Sequence, residues 1–155
     1  MTQPTAMHDS FTIVRSYPHA PARVFAAWAS VDAKAAWFAA PPDRAQTLRR
    51  DFDFRVGGTE HLSAVWSDGP NSVFDAVYHD IAADQRIVYS YAMMLGETRI
   101  SVSLATVTFA ADGTGTTMTF TEQAVYLNGY VDAGSRERGT GWLLDNLGTA
   151  LAAAG

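Results

Sequence analysis

One change of period divides this chain. From Ala45 to Tyr126 apolar and polar residues alternate, with interruptions at Gly57-Gly58, Ser67-Asp68-Gly69-Pro70, Ala83-Asp84, Leu95-Gly96 and Asp112-Gly113. Beyond Asp132-Ala133-Gly134-Ser135 the spacing becomes helical, and Thr140, Leu143, Leu144, Leu147, Leu151 and Ala154 fall in one row. Alternation places successive side chains on opposite faces of a strand, whereas three- and four-residue spacing places them on one stripe of a helix. The interruptions carry the glycine, proline, aspartate and serine chemistry of turns. The pattern predicts strands over 46–56, 59–66, 72–80, 86–94, 98–110 and 115–126, joined as an antiparallel meander, and one helix over 135–154.

The segment before the meander adds three short elements. Ser10 to Arg15 alternates and predicts a strand, which Pro18 and Pro21 end. Pro21 suits a first helical position, and Val24, Phe25, Trp28 and Val31 follow at helical spacing. Asp32 is placed to cap a second short helix carrying Trp37 and Phe38, ended by Pro41-Pro42. Residues 1–9 read as a flexible tail and 10–155 as a single domain, without internal repeats or a linker. The expected class is α+β: a curved antiparallel sheet of six to seven strands wrapped on a long C-terminal helix, with two short helices after the first strand. A helix over 135–154 would be about 30 Å long, enough to cross the sheet. A strongly twisted sheet curled around one helix leaves space that side chains alone do not fill, so a cavity between the two is expected.

Composition narrows the chemistry. The chain has 155 residues and no cysteine, which excludes disulfides, thiolate nucleophiles and cysteine-ligated metals. Lysine and arginine together number 11 against 16 acids, a formal net charge of −5. With no basic stripe, a nucleic-acid surface is not expected. No HxH, HExxH or histidine–aspartate cluster at ligand spacing occurs, so neither a metal nor a cofactor is expected. No run is long and apolar enough to span a bilayer, and Met1 to Ser10 lacks the apolar stretch of a signal peptide. A cytoplasmic protein is the simplest expectation. Aromatic residues make up 12% of the chain, including 4 tryptophans, and only 17% is charged. Much of the sequence is therefore built to be inside or to line something.

Five stretches in this order resemble the START-like helix-grip (SRPBCC) superfamily, within it the branch of heat-shock-protein ATPase activator homologues. They are Pro21-Ala22-Arg23-Val24-Phe25-Ala26-Ala27-Trp28 followed by Trp37-Phe38; Asp53-Phe54-Arg55-Val56-Gly57-Gly58; and Phe74-Asp75-Ala76-Val77-Tyr78-His79-Asp80-Ile81 with Arg86-Ile87-Val88. The others are Gly115-Thr116-Thr117-Met118-Thr119-Phe120-Thr121-Glu122-Gln123 and Arg138-Gly139-Thr140-Gly141-Trp142-Leu143-Leu144-Asp145-Asn146-Leu147. They reach across nearly the whole chain. The resemblance implies the helix-grip fold, with Trp37 and Phe38 at the mouth of its cavity. It does not select a function, because the superfamily includes lipid carriers, hormone and allergen-type binders, polyketide cyclases and chaperone partners.

Candidate site residues follow from alternation and from that fold. Glu122 falls in the row Met118, Phe120, Glu122, Ala124 and Tyr126, which would set a carboxylate in an apolar cavity. His61 shares a row with Ser63 and Val65, and a cavity-facing imidazole there would orient a ligand or shuttle a proton. Tyr89 and Tyr91 share a strand face, as do Phe52 and Phe54. The expected pocket residues are Trp37, Phe38, Phe54, His61, Tyr91, Phe120, Glu122 and Leu144. Gly141 and Gly148 lie seven apart on the final helix, for close packing on the sheet or to leave ligand space beside Leu144. Trp142 lies opposite the core row and would serve a homodimer contact or lean on the Trp28 helix.

The leading expectation is therefore the binding of a small apolar or aromatic molecule under the final helix. Two alternatives stand beside it. One is a cyclase, dehydratase or hydrolase with Glu122 as general acid–base and His61 or Tyr91 polarising a carbonyl. The other is an interaction module for a chaperone or regulator, which needs a filled interior and an exposed apolar patch.

Overall fold

The computed structural model describes residues 5–154. Its elements are β1 (Ala6–Tyr17), α1 (Pro21–Ala29), α2 (Val31–Ala35), β2 (Ala45–Phe52), β3 (Thr59–Trp66), β4 (Ser72–Ala82), β5 (Arg86–Leu95), β6 (Thr98–Asp112), β7 (Gly115–Leu127) and α3 (Ser135–Ala153). The strands form one antiparallel, curved sheet in the order β1-β7-β6-β5-β4-β3-β2. The meander from β2 to β7 pairs neighbours through short turns, and β1 then closes against β7, so the first and last strands lie side by side. This is the α+β helix-grip architecture expected from the element order.

Several strands run one or two residues past the sequence pattern, and three boundaries differ in ways that bear on the site. The first strand begins at Ala6 rather than Ser10, because Ala6 through Asp9 pair with Leu127 through Ala124. Those residues belong to the sheet and not to a tail; residues 1–4 lie outside the described ones. The strand is extended by its partner β7, not by its own apolar pattern. The strand expected over 46–56 stops at Phe52, where the chain turns through Arg55 to Gly58. Gly58 has no alternative there, since a Cβ would lie 2.1 Å from the Asp53 carbonyl oxygen. Finally, α2 ends at Ala35, so Trp37 and Phe38 stand in the turn after it, with both backbone N–H groups donating to the Lys34 carbonyl. Ser30, not Asp32, caps that helix: its hydroxyl accepts from the Ala33 N–H at 3.2 Å.

α3 has 19 residues and is about 28 Å long. It buries Leu144, Leu147 and Leu151 and packs on β1 and α1. Tyr17 fixes its height on the sheet by donating its hydroxyl to the Leu144 carbonyl at 2.7 Å, and Arg23 donates to the Leu151 carbonyl at 2.8 Å. Two of its glycines serve this approach. A Cβ on Gly148 would lie 3.3 Å from the Tyr17 ring, and one on Gly141 would lie 3.2 Å from the Arg15 guanidinium. One buried core joins Ile13, Trp28, Val107, Met118 and Leu147 to Phe74, Tyr89, Tyr91 and Leu144. No helix among the described residues is long and apolar enough to cross a membrane.

Candidate functional site

A pocket of about 630 Å³ lies between the concave face of the sheet and the N-terminal half of α3. Alternation builds its wall. β3 presents Leu62, Ala64 and Trp66, β4 presents Phe74, β5 presents Tyr89, Tyr91 and Met93, and β7 presents Phe120 and Glu122. The turn after α2 supplies Trp37 and Phe38, and α3 supplies Arg136, Gly139, Leu143 and Leu144. The rings form a chain of contacts. Trp28 and Trp37 centroids are 4.7 Å apart, Phe38 and Phe74 are 5.1 Å apart, and Phe74 and Tyr91 are 4.8 Å apart. Trp37 is oriented by donating its indole N–H to the Ala27 carbonyl at 3.0 Å. The result is a rigid aromatic surface with few freely rotating groups.

A polar cluster sits at the floor. Glu122 is fully buried. Its two oxygens accept the Tyr91 hydroxyl at 2.8 and 2.7 Å, and Oε2 accepts Arg136 Nη1 at 3.2 Å. The same Nη1 donates to the Tyr91 hydroxyl oxygen at 2.9 Å, and Nη2 donates to Ser101 Oγ at 2.7 Å. The Arg136 guanidinium also lies 5.5 Å from the ring centres of both Tyr91 and Tyr126. Burial opposes the guanidinium's charge, but Tyr91, Glu122 and Tyr126 outweigh it and hold its proton more tightly than in water. Burial, reinforced by the Glu122 charge, pushes the Tyr91 phenol up, so it stays a neutral donor. Asp132 places Arg136 by accepting its backbone N–H at 3.0 and 3.2 Å at the start of α3.

A second polar cluster stands behind the aromatic wall. Lys34, the only lysine in the chain, is buried and donates to Glu60 Oε1 at 2.6 Å and to the Tyr78 hydroxyl at 3.2 Å. Tyr78 in turn donates to Glu60 Oε1 at 2.6 Å. Burial pulls the Lys34 ammonium down, and the Glu60 charge opposes that pull. The ammonium lies 4.5 Å from the Phe38 ring centre, so this cluster supports the pocket rim from below.

Of the residues expected in the pocket, Trp37, Phe38, Tyr91, Phe120, Glu122 and Leu144 line it together. Phe54 does not. It stands in the turn after β2, stacked on Phe52 at 5.8 Å and edge-on to Phe25 and Tyr78. His61 does not either. It lies on the outer face, where Nδ1 meets the Asp75 carboxylate at 2.7 Å. The row Glu60, Leu62, Ala64 and Trp66 faces inward instead, because a one-residue step in register exchanges the faces of a strand. The apolar content of that row is the signal that could have assigned it. Arg136 is not among the expected pocket residues, and its signal in the sequence is its place four residues before Thr140, on the same stripe as Leu143 and Leu147. Gly139 leaves a gap in α3 on the pocket side, since a Cβ there would meet nothing within 4 Å and the residue lines the pocket. Among the described residues no three histidine, aspartate or glutamate side chains gather as metal ligands.

Residues 18–152 match the family model described as Activator of Hsp90 ATPase homolog 1-like protein. No curated protein matches the chain. Among solved structures, an uncharacterized protein of Rhizobium leguminosarum is 48% identical with a TM-score of 0.90, over 95% of this chain and 96% of the other. The Mll3558 protein of Rhizobium loti is 39% identical with a TM-score of 0.87, over 95% and 99%. An AHSA1-like protein of Aeromonas hydrophila is 25% identical with a TM-score of 0.67, over 93% and 94%.

Proposed function

The chain belongs to the family of Activator of Hsp90 ATPase homolog 1-like proteins, and from that premise we propose that it binds a small lipophilic or aromatic molecule between the sheet and α3. The observation that carries this reading is an aromatic-walled pocket of about 630 Å³ with one convergent polar cluster at its floor. That volume suits a compact organic molecule, and such sites pair a mostly apolar lining with a few placed polar groups. Phe38, Phe74, Leu62 and Leu143 would supply burial at about 25 cal/mol per Å². Tyr91, held by Glu122 and Arg136, would set orientation. Action in the cytoplasm is part of this reading. Trp142, 42% exposed, lines the mouth and is assigned to the ligand rather than to a second copy.

A catalytic reading finds less support. Both Glu122 oxygens are engaged, and His61 faces away from the pocket. Asp132, the other carboxylate among the described residues of the lining, is engaged by the Arg136 backbone N–H.

The test is a fluorescence titration with N-phenylnaphthylamine, an uncharged aromatic probe, on the wild type and on Gly139→Trp. The variant fills the gap beside Leu143 without straining the helix. Saturable binding to the wild type that disappears in the variant is expected. Absence of saturable binding, or equal binding to both proteins, would overturn the proposal.

A further inference from the structure

The balance of charge around the pocket says what kind of molecule it accepts. The ionisable groups of opposite sign that line it are Arg44, Arg136 and Arg138 against Glu122 and Asp132. Arg136 and Glu122 neutralise one another at 3.2 Å. Asp132 is engaged by α3, both oxygens accepting the Arg136 backbone N–H, where its charge meets the positive end of the helix. Arg44 and Arg138 remain. Neither has a carboxylate within 4.0 Å among the described residues.

Both are exposed at the mouth. Arg44 comes from the segment entering β2, with its guanidinium 5.5 Å from the Trp66 ring centre. Arg138 comes from the first turn of α3, and among the described residues its side chain makes one hydrogen bond, to the Ala133 carbonyl at 3.2 Å. The chain as a whole carries a net charge of −5, so its general surface repels anions while this mouth attracts them. A guanidinium presents a planar fork of donors that matches a carboxylate or sulfonate and sheds its water more readily than an ammonium.

We infer that the ligand is an amphipathic organic anion, its aromatic or alicyclic body against Phe38, Phe74 and Tyr91 and its acid group at the mouth within reach of Arg44 and Arg138. This rests on the reading of the pocket as a ligand site. It adds the charge and the polarity of entry: the apolar end goes in first and the acid stays at the rim. The Arg136–Glu122 pair at the floor then bonds to a neutral polar group, since its charges already cancel.

Two probes with one aromatic skeleton separate the claims. Anilinonaphthalenesulfonate carries the anion and N-phenylnaphthylamine does not. Each is titrated against the wild type, Arg44→Gln/Arg138→Gln and Gly139→Trp, from about 0.05 to about 0.5 M salt. The anionic probe is expected to bind about tenfold more tightly than the neutral one. The double variant should remove that advantage and leave the neutral probe within about twofold, and Gly139→Trp should remove both probes. Rising salt should weaken only the anionic probe. Equal affinities for the two probes, unchanged in the double variant, would overturn the inference and leave the pocket reading standing. Failure of both probes to bind would overturn both.

Discussion

Lys34→Met removes a cation from a place where water cannot substitute for it. Lys34 Nζ is 2.6 Å from Glu60 Oε1, and five aromatic rings surround it with centres 4.5 to 5.9 Å away. At that separation and an effective dielectric of about 20, the attraction is about 6 kcal/mol. Desolvating the two ions costs several kcal/mol each, so the intact pair contributes little net stability. Half of the pair is another matter. Glu60 Oε2 already lacks a protein partner, and after Lys34→Met the carboxylate keeps only the Tyr78 hydroxyl. The expected loss is about 3–5 kcal/mol. Methionine keeps the volume, so packing accounts for less than about 1.5 kcal/mol of it. Adding Glu60→Gln removes the stranded charge but keeps an acceptor for Tyr78, and should return the protein to within about 2 kcal/mol of the wild type. Urea unfolding with linear extrapolation at neutral pH measures all three proteins. A Lys34→Met loss below about 1 kcal/mol, or a double variant no more stable than the single one, would mean that Lys34 does not hold a stranded Glu60 charge in check.

Other expectations can be checked in the same way. Gly139→Ala should stabilise by about 1 kcal/mol, raising Tm by about 2–4 °C in thermal unfolding, because its Cβ enters open space in a helix. Gly148→Ala should destabilise despite the same helical gain. Its Cβ lies 3.3 Å from a Tyr17 ring that is pinned to the Leu144 carbonyl, and overpacking costs about 1–3 kcal/mol. Alkaline titration should unfold the protein: burial raises the phenols of Tyr78, Tyr89 and Tyr91 above their ordinary value of 10.0. Above pH about 10 the unfolded chain releases protons that the folded one keeps, so that stability is intact below this pH and falls above it. Each such phenol removes about 1.4 kcal/mol per pH unit, and ultraviolet absorbance should show phenolate appearing only with unfolding. Arg136→Met, which strands the buried Glu122 charge, should cost about 3–5 kcal/mol by urea unfolding, and Glu122→Gln added to it should recover most of the loss.

The fold was legible because two periods carry it. Alternation from Ala45 onward names the meander, and the leucine stripe from Leu143 to Leu151 names the covering helix. Glu122 was legible for the same reason, since its row is otherwise apolar and every member is buried. What escaped was polar and inward at once. Lys34 and Glu60 each look like surface residues in isolation, and only the pairing of α2 with β3 makes their burial tolerable. Arg136 hides in an apolar stripe, and its partners are about 14 to 45 residues away in sequence. The face of His61 is not legible in the sequence because Thr59 through Trp66 alternates imperfectly, leaving the register to be decided by pairing with β4. Ala6 through Asp9 carry no strand signal of their own and are ordered by β7.

If the space beneath the N-terminal half of α3 takes a ligand, nuclear magnetic resonance will map it residue by residue. Titration of isotope-labelled protein with N-phenylnaphthylamine should shift the amide signals of Phe38, Leu62, Phe74, Tyr91 and Leu143 together, with one saturating profile. Those of His61, Val65 and Val77 on the outer face should stay in place. Shifts gathered on the outer face, or none at saturating probe, would mean that the space beneath α3 is not a binding site.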